Sequence, residues 1–516
     1  MLNTLIWLVP ALPIFAALWI GIGYLAGFNR GEIGEQPTAQ IAISATAISL
    51  ILMLVLDASA IMAGNAPGQI ALAPWLTTGS YQVLLSFTLD NLSLAMATLV
   101  ALISLLMMRF SVNYMHREAG FQRFFMIMSL FSGAMLLIVT AGNAVFAFIG
   151  WELAGVSSYL LIGYAFDRPT ATQNATRAFV TNRIGDAGFI MAIFLSFSYL
   201  GGIEWPLITS EAHDPDGIGA GLIAGGFLLA ALAKSAQVPF SPWIARALEG
   251  PTPSSAIFYG ALMVHAGVYL VVRLQPLFEQ SPMAMAALII FGLLTMLYGY
   301  FGSLVQTDVK SVLIFSVTTH VGLMFLLCGL GLFEVAVIYM VLHAVWRAWQ
   351  FLTAPSMMHD MVRPTRPVPA WLAKRRAFYT ACLQRFWLDN LADALFVRPT
   401  QGLARDAQRF DEKVVNQLAG LPGSANALSS LAEWENRKGV LVEGEIGRGS
   451  GVFGKIMEWI ASGLHWFEEH LVLKSGGEGL LKLIRHIGAY LTQIEMLLSQ
   501  PRYLILLIAI TFIVII

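Results

Sequence analysis

Charge is scarce in this chain. Asp, Glu, Lys and Arg make up 12% of its 516 residues, about half the share found in a soluble globular protein. Neither sign dominates: the formal net charge is -1, so there is no basic character to attract nucleic acid. Cysteine is nearly missing as well. Cys328 and Cys382 stand in no CxxC or Cys/His spacing, which argues against a disulfide framework and against a metal site. No Rossmann glycine fingerprint, flavin motif or iron–sulfur cysteine set occurs, so no redox chemistry and no cofactor is expected on this chain.

What the chain has instead is hydrocarbon. It is 57% hydrophobic, with a mean hydropathy of +0.71, and reads as an all-α polytopic membrane protein embedded in a lipid bilayer. A span needs about 20 mostly apolar residues. By that rule about eleven spans precede residue 357: roughly 4–26, 40–62, 84–108, 122–140, 143–165, 177–200, 219–247, 253–275, 283–305, 309–330 and 332–356. Residues 4–26 lack a basic leader and a clear small-residue cleavage site, so they read as a first transmembrane helix and not as a signal peptide. A short apolar run, 501–516, makes about twelve spans. The expected organisation is N-terminal transmembrane helices over 1–83, a core over 84–357 and a charged cytoplasmic segment over 358–452. An amphipathic lateral helix over 453–500 and a terminal anchor over 501–516 follow. The amphipathic reading rests on Ile456, Trp459, Ile460, Leu464 and Phe467 at helical spacing.

Lys and Arg set the orientation. Loops after odd-numbered spans hold Arg30, Arg117, Arg123, Arg168, Arg177 and the cluster from Arg363 to Arg376; loops after even-numbered spans hold almost none, Arg273 excepted. The N-terminus is therefore expected outside and the charged segment inside.

The few ionisable residues within the apolar runs are the informative ones. An uncompensated charge at bilayer depth costs roughly 2.5–3.5 kcal/mol on insertion scales, so each such residue needs a partner or a task. Glu152 lies within "FIGWELAGVSSYLLIGY". Lys234 ends an apolar helix that Pro239 and Pro242 then interrupt, and a broken helix at membrane depth survives where its freed carbonyls face protein or water. Glu152 and Lys234 are thus expected to pair across adjacent helices; an ion pair that ties two helices together is the simpler reading of the same two residues. Arg183 and Asp186, three apart, form a local pair able to bias a nearby glutamate. Lys310 and His320 share one span, and Tyr339, His343 and Arg347 share one helix face. A series of titratable groups through successive spans marks a proton or ion path. His265, a lone histidine in "ALMVHAGVYL", reads as a packing residue or a neighbour of that path.

In order, "GWELAGVSSYLLIG", "RIGDAGF", "AKSAQVPFSPWI", "GPTPSSAI", "LVQTDVKSVLIFS" and "HAVWRAWQFL" resemble the antiporter-like subunits of respiratory complex I, most of all the distal subunit, and also the related Mrp antiporter subunits. The resemblance runs from about residue 84 to 356. It implies a helical proton-translocating unit with a glutamate–lysine pair at Glu152 and Lys234, a broken helix and a central lysine at Lys310. The charged segment, amphipathic helix and last span resemble that subunit's lateral arm and anchor. Two departures stand out: Tyr259 replaces the usual histidine after the "PTPSSA" element, and Arg347 replaces a lysine. Arginine stays protonated at any accessible pH and cannot relay a proton by losing one. The family also continues past this helix with further spans, one broken, where this sequence passes to the charged segment; the path from Tyr339, His343 and Arg347 is expected to be completed by a partner's surface or to bend out beside residues 358–376. Arg347, Gln350 and the "APS" that follows resemble a side branch, the membrane subunit of inorganic-carbon accumulation systems with a large zinc-containing, carbonic-anhydrase-like partner.

These readings imply a proton-translocating subunit of a complex I-related assembly, with other membrane subunits as partners, in a bacterial inner membrane. The rivals are inorganic-carbon uptake with the zinc-containing partner, and a non-conducting scaffold. Retained buried charge at Glu152, Lys234 and Lys310 argues against the scaffold.

Overall fold

The computed structural model of the chain describes residues 2–28, 30–78, 81–210, 218–354 and 368–411, with Val414, Trp459 and Gly488 as single positions. It divides into two units, Met1–Val397 and Arg398–Ile516. In the second, the described element is the helix Arg398–Phe410. The expected lateral helix and terminal anchor, apart from Trp459 and Gly488, lie outside the described residues.

Among the described residues the first unit holds eleven apolar helices packed as a bundle: α1 (Leu8–Leu25), α2 (Glu35–Ala63), α3 (Asn91–Tyr114), α4 (Phe121–Thr140), α5 (Ala144–Ile162), α6 (Pro169–Leu200), α7 (Ile218–Lys234), α8 (Thr252–Arg273), α9 (Pro282–Ser303), α10 (Val309–Gly329) and α11 (Phe333–Thr353). Ten of these are long and apolar enough to cross a membrane, α7 being the shorter one. The protein is an integral membrane protein. Helix starts follow from capping chemistry: Asp90 opens α3 through a capping box with Ser93, Asn143 accepts from the Phe146 amide at 2.9 Å to open α5, and Asp308 accepts from Ser311 at 2.8 Å to open α10. α4 and α8 fill the interior, while α1, α2, α9 and α11 expose faces such as Phe15 and Trp19, Ile51 and Leu54, Ile290 and Leu293, Leu342 and Trp346. Such faces are matched by lipid and would aggregate in water.

One element departs from the all-α expectation. Residues 84–89 do not begin a helix; β1 (Gly68–Thr78) and β2 (Tyr81–Leu89) form an antiparallel hairpin, with register shifts between Ala71 and Ala73 and between Pro74 and Leu76. Its inner residues, Ser86 to Leu89, are buried, so the strand reads as a continuous apolar run that hydropathy cannot tell from a helix start. The hairpin meets the rim of the bundle: the Gly142 amide donates to Ser86 O at 2.8 Å, and Glu204 accepts from Gln69 and Ser86 at 2.8 and 2.9 Å.

α6 and α7 pack through small residues. A Cβ on Gly188 would lie 2.8 Å from Gly226 O, and one on Gly226 would lie 2.7 Å from Gly188 O, so both positions need glycine for the backbones to approach. That contact brings Asp186 beside the end of α7.

The start of the charged segment folds against the membrane unit. Phe378 meets Phe301 with ring centroids 5.0 Å apart, and Phe396 stacks on Phe240 at 5.2 Å. Arg385, Phe386 and Trp387 form a left-handed turn, with φ of 52°, 56° and 54°, which costs non-glycine residues roughly 1–2 kcal/mol each.

Candidate functional site

α7 stops at Lys234, and the chain then breaks over residues 235–241 before Pro242 starts a short helix, Pro242–Arg246. The freed polar groups find protein partners. Ser235 Oγ donates to Val264 O at 2.6 Å, the Val238 amide donates to Thr295 Oγ1 at 2.9 Å, and Trp243 Nε1 donates to Ala233 O at 3.0 Å. These bonds are what allow a break at this depth. They leave Lys234 at a helix C-terminus, where the dipole favours a cation.

Lys234 is 1% exposed and donates to Trp151 O at 3.0 Å, with its ammonium 4.9 Å from the Trp151 ring centroid. Trp151 Nε1 donates to Asp186 Oδ1 at 2.8 Å, and Asp186 Oδ2 lies 2.8 Å from Arg183 Nη2. Arg183 Nη1 is paired with Glu152 Oε2. Two carboxylates and two cations thus meet where α5, α6 and α7 converge. Gly155 makes the convergence possible: a Cβ there would sit 3.2 Å from Arg183 Nη2 and 3.3 Å from Lys234 Nζ.

The expected direct pair between Glu152 and Lys234 is not formed; among the described residues, no ion pair joins them. The forked guanidinium of Arg183 reaches Glu152 and Asp186 together, which a lysine cannot do with planar geometry. Arg183 therefore answers the glutamate, and Lys234 sits one residue away on the Trp151 carbonyl.

A second group lies on α8, α10 and α11. α8 is irregular where it matters: Ala256–Ala261 is π-helical and Met263–His265 is a 3₁₀ turn. His265 Nε2 is 2.9 Å from His343 Nδ1. Arg347 Nε donates to His343 Nε2 at 3.1 Å, Nη2 donates to Ser316 Oγ at 2.6 Å, and Nη1 donates to Gln350 Oε1 at 2.7 Å. His320 Nδ1 is bonded to Tyr339 OH. Arginine can only donate, so His343 Nε2 must accept. His343 is then neutral with its proton on Nδ1, which donates to His265 Nε2. His265, His343 and Arg347 are 1%, 5% and 4% exposed. The sequence pointed weakly at His265, a lone histidine in an apolar run, and gave no sign of Trp151 or Ser316 as partners.

Lys310 is the residue to which the resemblance gives the role of central lysine. It lies in the first turn of α10, where Nζ donates to Thr252 Oγ1 at 2.7 Å and Tyr114 OH lies 2.9 Å from the same oxygen. Asp308 caps the helix one residue before α10 starts, which places Lys310 in its first turn. The buried position on α11 is held by Arg347.

Comparisons with known proteins place the chain in a family. Residues 141–368 match the family model described as NADH:quinone oxidoreductase/Mrp antiporter transmembrane region, and residues 75–125 match the one for the N-terminus of complex I chain 5. The chain is 35% identical over 371 residues to NAD(P)H-quinone oxidoreductase chain 5 of Synechocystis sp., covering 70% of this chain and 54% of that protein. It is 33% identical over 366 residues to the chloroplastic subunit 5 of Zygnema circumcarinatum, covering 70% and 52%. The chain thus spans about half the length of these curated relatives. A subunit in the solved Mrp complex from Dietzia sp. superposes with a TM-score of 0.59 at 25% identity, over 67% of this chain and 37% of that one. With both family models satisfied in order along one helical bundle, the chain belongs to the antiporter-like membrane subunits shared by NADH:quinone oxidoreductases and Mrp antiporters.

Proposed function

We propose that this chain is a proton-translocating subunit of a larger complex I-related membrane assembly. The observation that carries the reading is two groups of buried and half-buried ionisable side chains, Glu152–Arg183–Asp186–Lys234 at the helix break and His265–His343–Arg347 beside it, tied by the Ser235–Val264 bond. Each such group is expensive in lipid, and structural stability alone does not need seven of them.

In this account Arg183 is shared between Glu152 and Asp186, and a shift of the guanidinium toward either acid changes the field at Lys234. Lys234, held by a neutral carbonyl and a ring face, takes or gives a proton as that field changes. His265 and His343 take the proton next only when the bond from Arg347 to His343 Nε2 opens, because both acceptor nitrogens are otherwise engaged. Arg347 holds His343 neutral and adds a positive charge that a transferred proton must approach. The path beyond Arg347 is completed on a partner's surface beside His320 and Tyr339, or bends toward the inside near residues 358–376. Other membrane subunits are the proposed partners, and the N-terminus is proposed to lie outside, in a bacterial inner membrane.

The Arg347–Gln350 bond supports a second reading, because the residues that resemble inorganic-carbon uptake systems are engaged with each other. Co-purification of a large zinc protein would favour that reading, and quinone- or nicotinamide-module subunits the first. The common claim is tested by reconstitution. The chain alone in liposomes should show negligible proton flux, and its native complex should show flux. Equal flux from the chain alone would contradict the need for a partner, and none from either would contradict proton translocation.

A further inference from the structure

A cavity of about 720 Å³ opens at the end of the bundle that carries Lys310. Glu249, Lys310 and Ser311 are among the residues that line it, together with Arg246, Arg385 and Asp389. The charged side chains among its lining can hold water. Part of its wall is the left-handed turn and helix that follow residue 383.

That covering is tied down at two places by charge and at a third by ring stacking. Arg246 Nε donates to Asp389 Oδ1 at 2.7 Å, with Arg385 Nη1 3.7 Å from Asp389 Oδ2. Arg177 Nη2 donates to Asp393 Oδ2 at 2.7 Å. Phe396 stacks on Phe240, just beyond the α7 break. Arg246 follows that break and Arg177 lies on α6 with Arg183, so the covering is anchored to the two elements that frame the Glu152–Lys234 cluster. The turn at Arg385, Phe386 and Trp387 lies in the left-handed region, a costly conformation for residues other than glycine.

We propose that residues 385–397 are a tethered lid over an aqueous antechamber in front of Lys310, released when Asp389 and Asp393 part from Arg246 and Arg177. The lid regulates access to the inner end of the bundle, and anything that pulls on the charged segment would be felt there. Protons as the species admitted rest on the function proposed above; the lid itself does not.

The test is cysteine accessibility. The full chain carrying Ser311→Cys, in its native membrane complex, is exposed to a membrane-impermeant charged maleimide, with the chain lacking that substitution reporting background from Cys328 and Cys382. Losing a charge-assisted bond should speed labelling about tenfold or more in Asp389→Asn, and likewise in Asp393→Asn. Asp389→Glu should restore slow labelling. Unchanged rates in both asparagine variants would overturn the lid. Faster labelling with unchanged proton flux would keep the lid and overturn its link to proton access, whatever the fate of the transport reading.

Discussion

The Ser235 hydroxyl donates to Val264 O at 2.6 Å, which joins the residue after Lys234 to the residue before His265. Two helix irregularities, one ending α7 and one inside α8, are held together at the point where the two groups of ionisable side chains come closest in sequence to a shared contact. Gly267 allows it: a Cβ there would fall 2.3 Å from Ser235 Oγ and 2.5 Å from Ala231 O. Ser235→Ala should leave Val264 O buried without that donor, at a cost of about 1–3 kcal/mol. The expected outcome is a lower melting temperature in detergent and transport reduced severalfold, with the complex still assembled.

Removing Arg183 is predicted to destabilise the fold. Removing it as Arg183→Gln leaves Glu152 and Asp186 facing each other without the guanidinium, and breaking a buried pair in this way costs about 3–5 kcal/mol. Part of that is offset, because the Arg183 and Glu152 side chains are 32% and 24% exposed. Arg183→Lys should recover part of the loss, since an ammonium restores the charge but not the planar fork that reaches both acids. Thermal unfolding of the three proteins ranks them: wild type, then lysine, then glutamine. Equal stability of lysine and glutamine variants would contradict the shared-guanidinium geometry.

Arg347 fixes a tautomer, and that is directly observable. Nitrogen chemical shifts of His343 should show Nδ1 protonated and Nε2 bare in the wild type. In Arg347→Leu the constraint on Nε2 is gone and the second tautomer should gain population. A wild-type His343 protonated on Nε2 would break the chain of donors from Arg347 to His265.

At the rim, burial pushes the Glu204 carboxyl above its usual value, offset in part by hydrogen bonds from Ser86, Gln69 and Asn143. The folded state therefore holds this proton more tightly than the unfolded state. Its stabilising contribution is full below the unfolded value near 4.5 and is lost as pH rises through the higher folded value. Glu204→Gln should flatten the fall in melting temperature between about pH 4 and pH 7. A wild-type melting temperature that rises over this range in step with Glu204 ionisation would reverse the sign and refute the assignment.

Much of the bundle was legible because lipid imposes one rule on every span: about 20 apolar residues with satisfied backbone. The break after Lys234 was legible for the same reason, since Pro239 and Pro242 remove backbone donors where few are spared. The hairpin was not legible, because Tyr81–Leu89 buries both faces near its end and loses strand alternation. Nor could sequence decide who answers Glu152. Arg183 and Lys234 are both in range by family order, and the choice rests on a three-helix contact set by Gly155, Gly188 and Gly226. The central-lysine role of Lys310 came from its motif; its place in the first turn of α10 follows from where Asp308 starts the helix. Tethers such as Arg177–Asp393 join positions more than 200 residues apart, and nothing local announces them.

The central claim is that buried Lys234 carries protons. Its most direct test is light- or substrate-independent proton flux driven by an imposed pH gradient, measured with a pH-sensitive dye in liposomes holding the native complex with wild-type chain or with Lys234→Ala. The account predicts that the variant assembles in full and that its flux falls at least tenfold. An assembled Lys234→Ala complex with wild-type flux would contradict it.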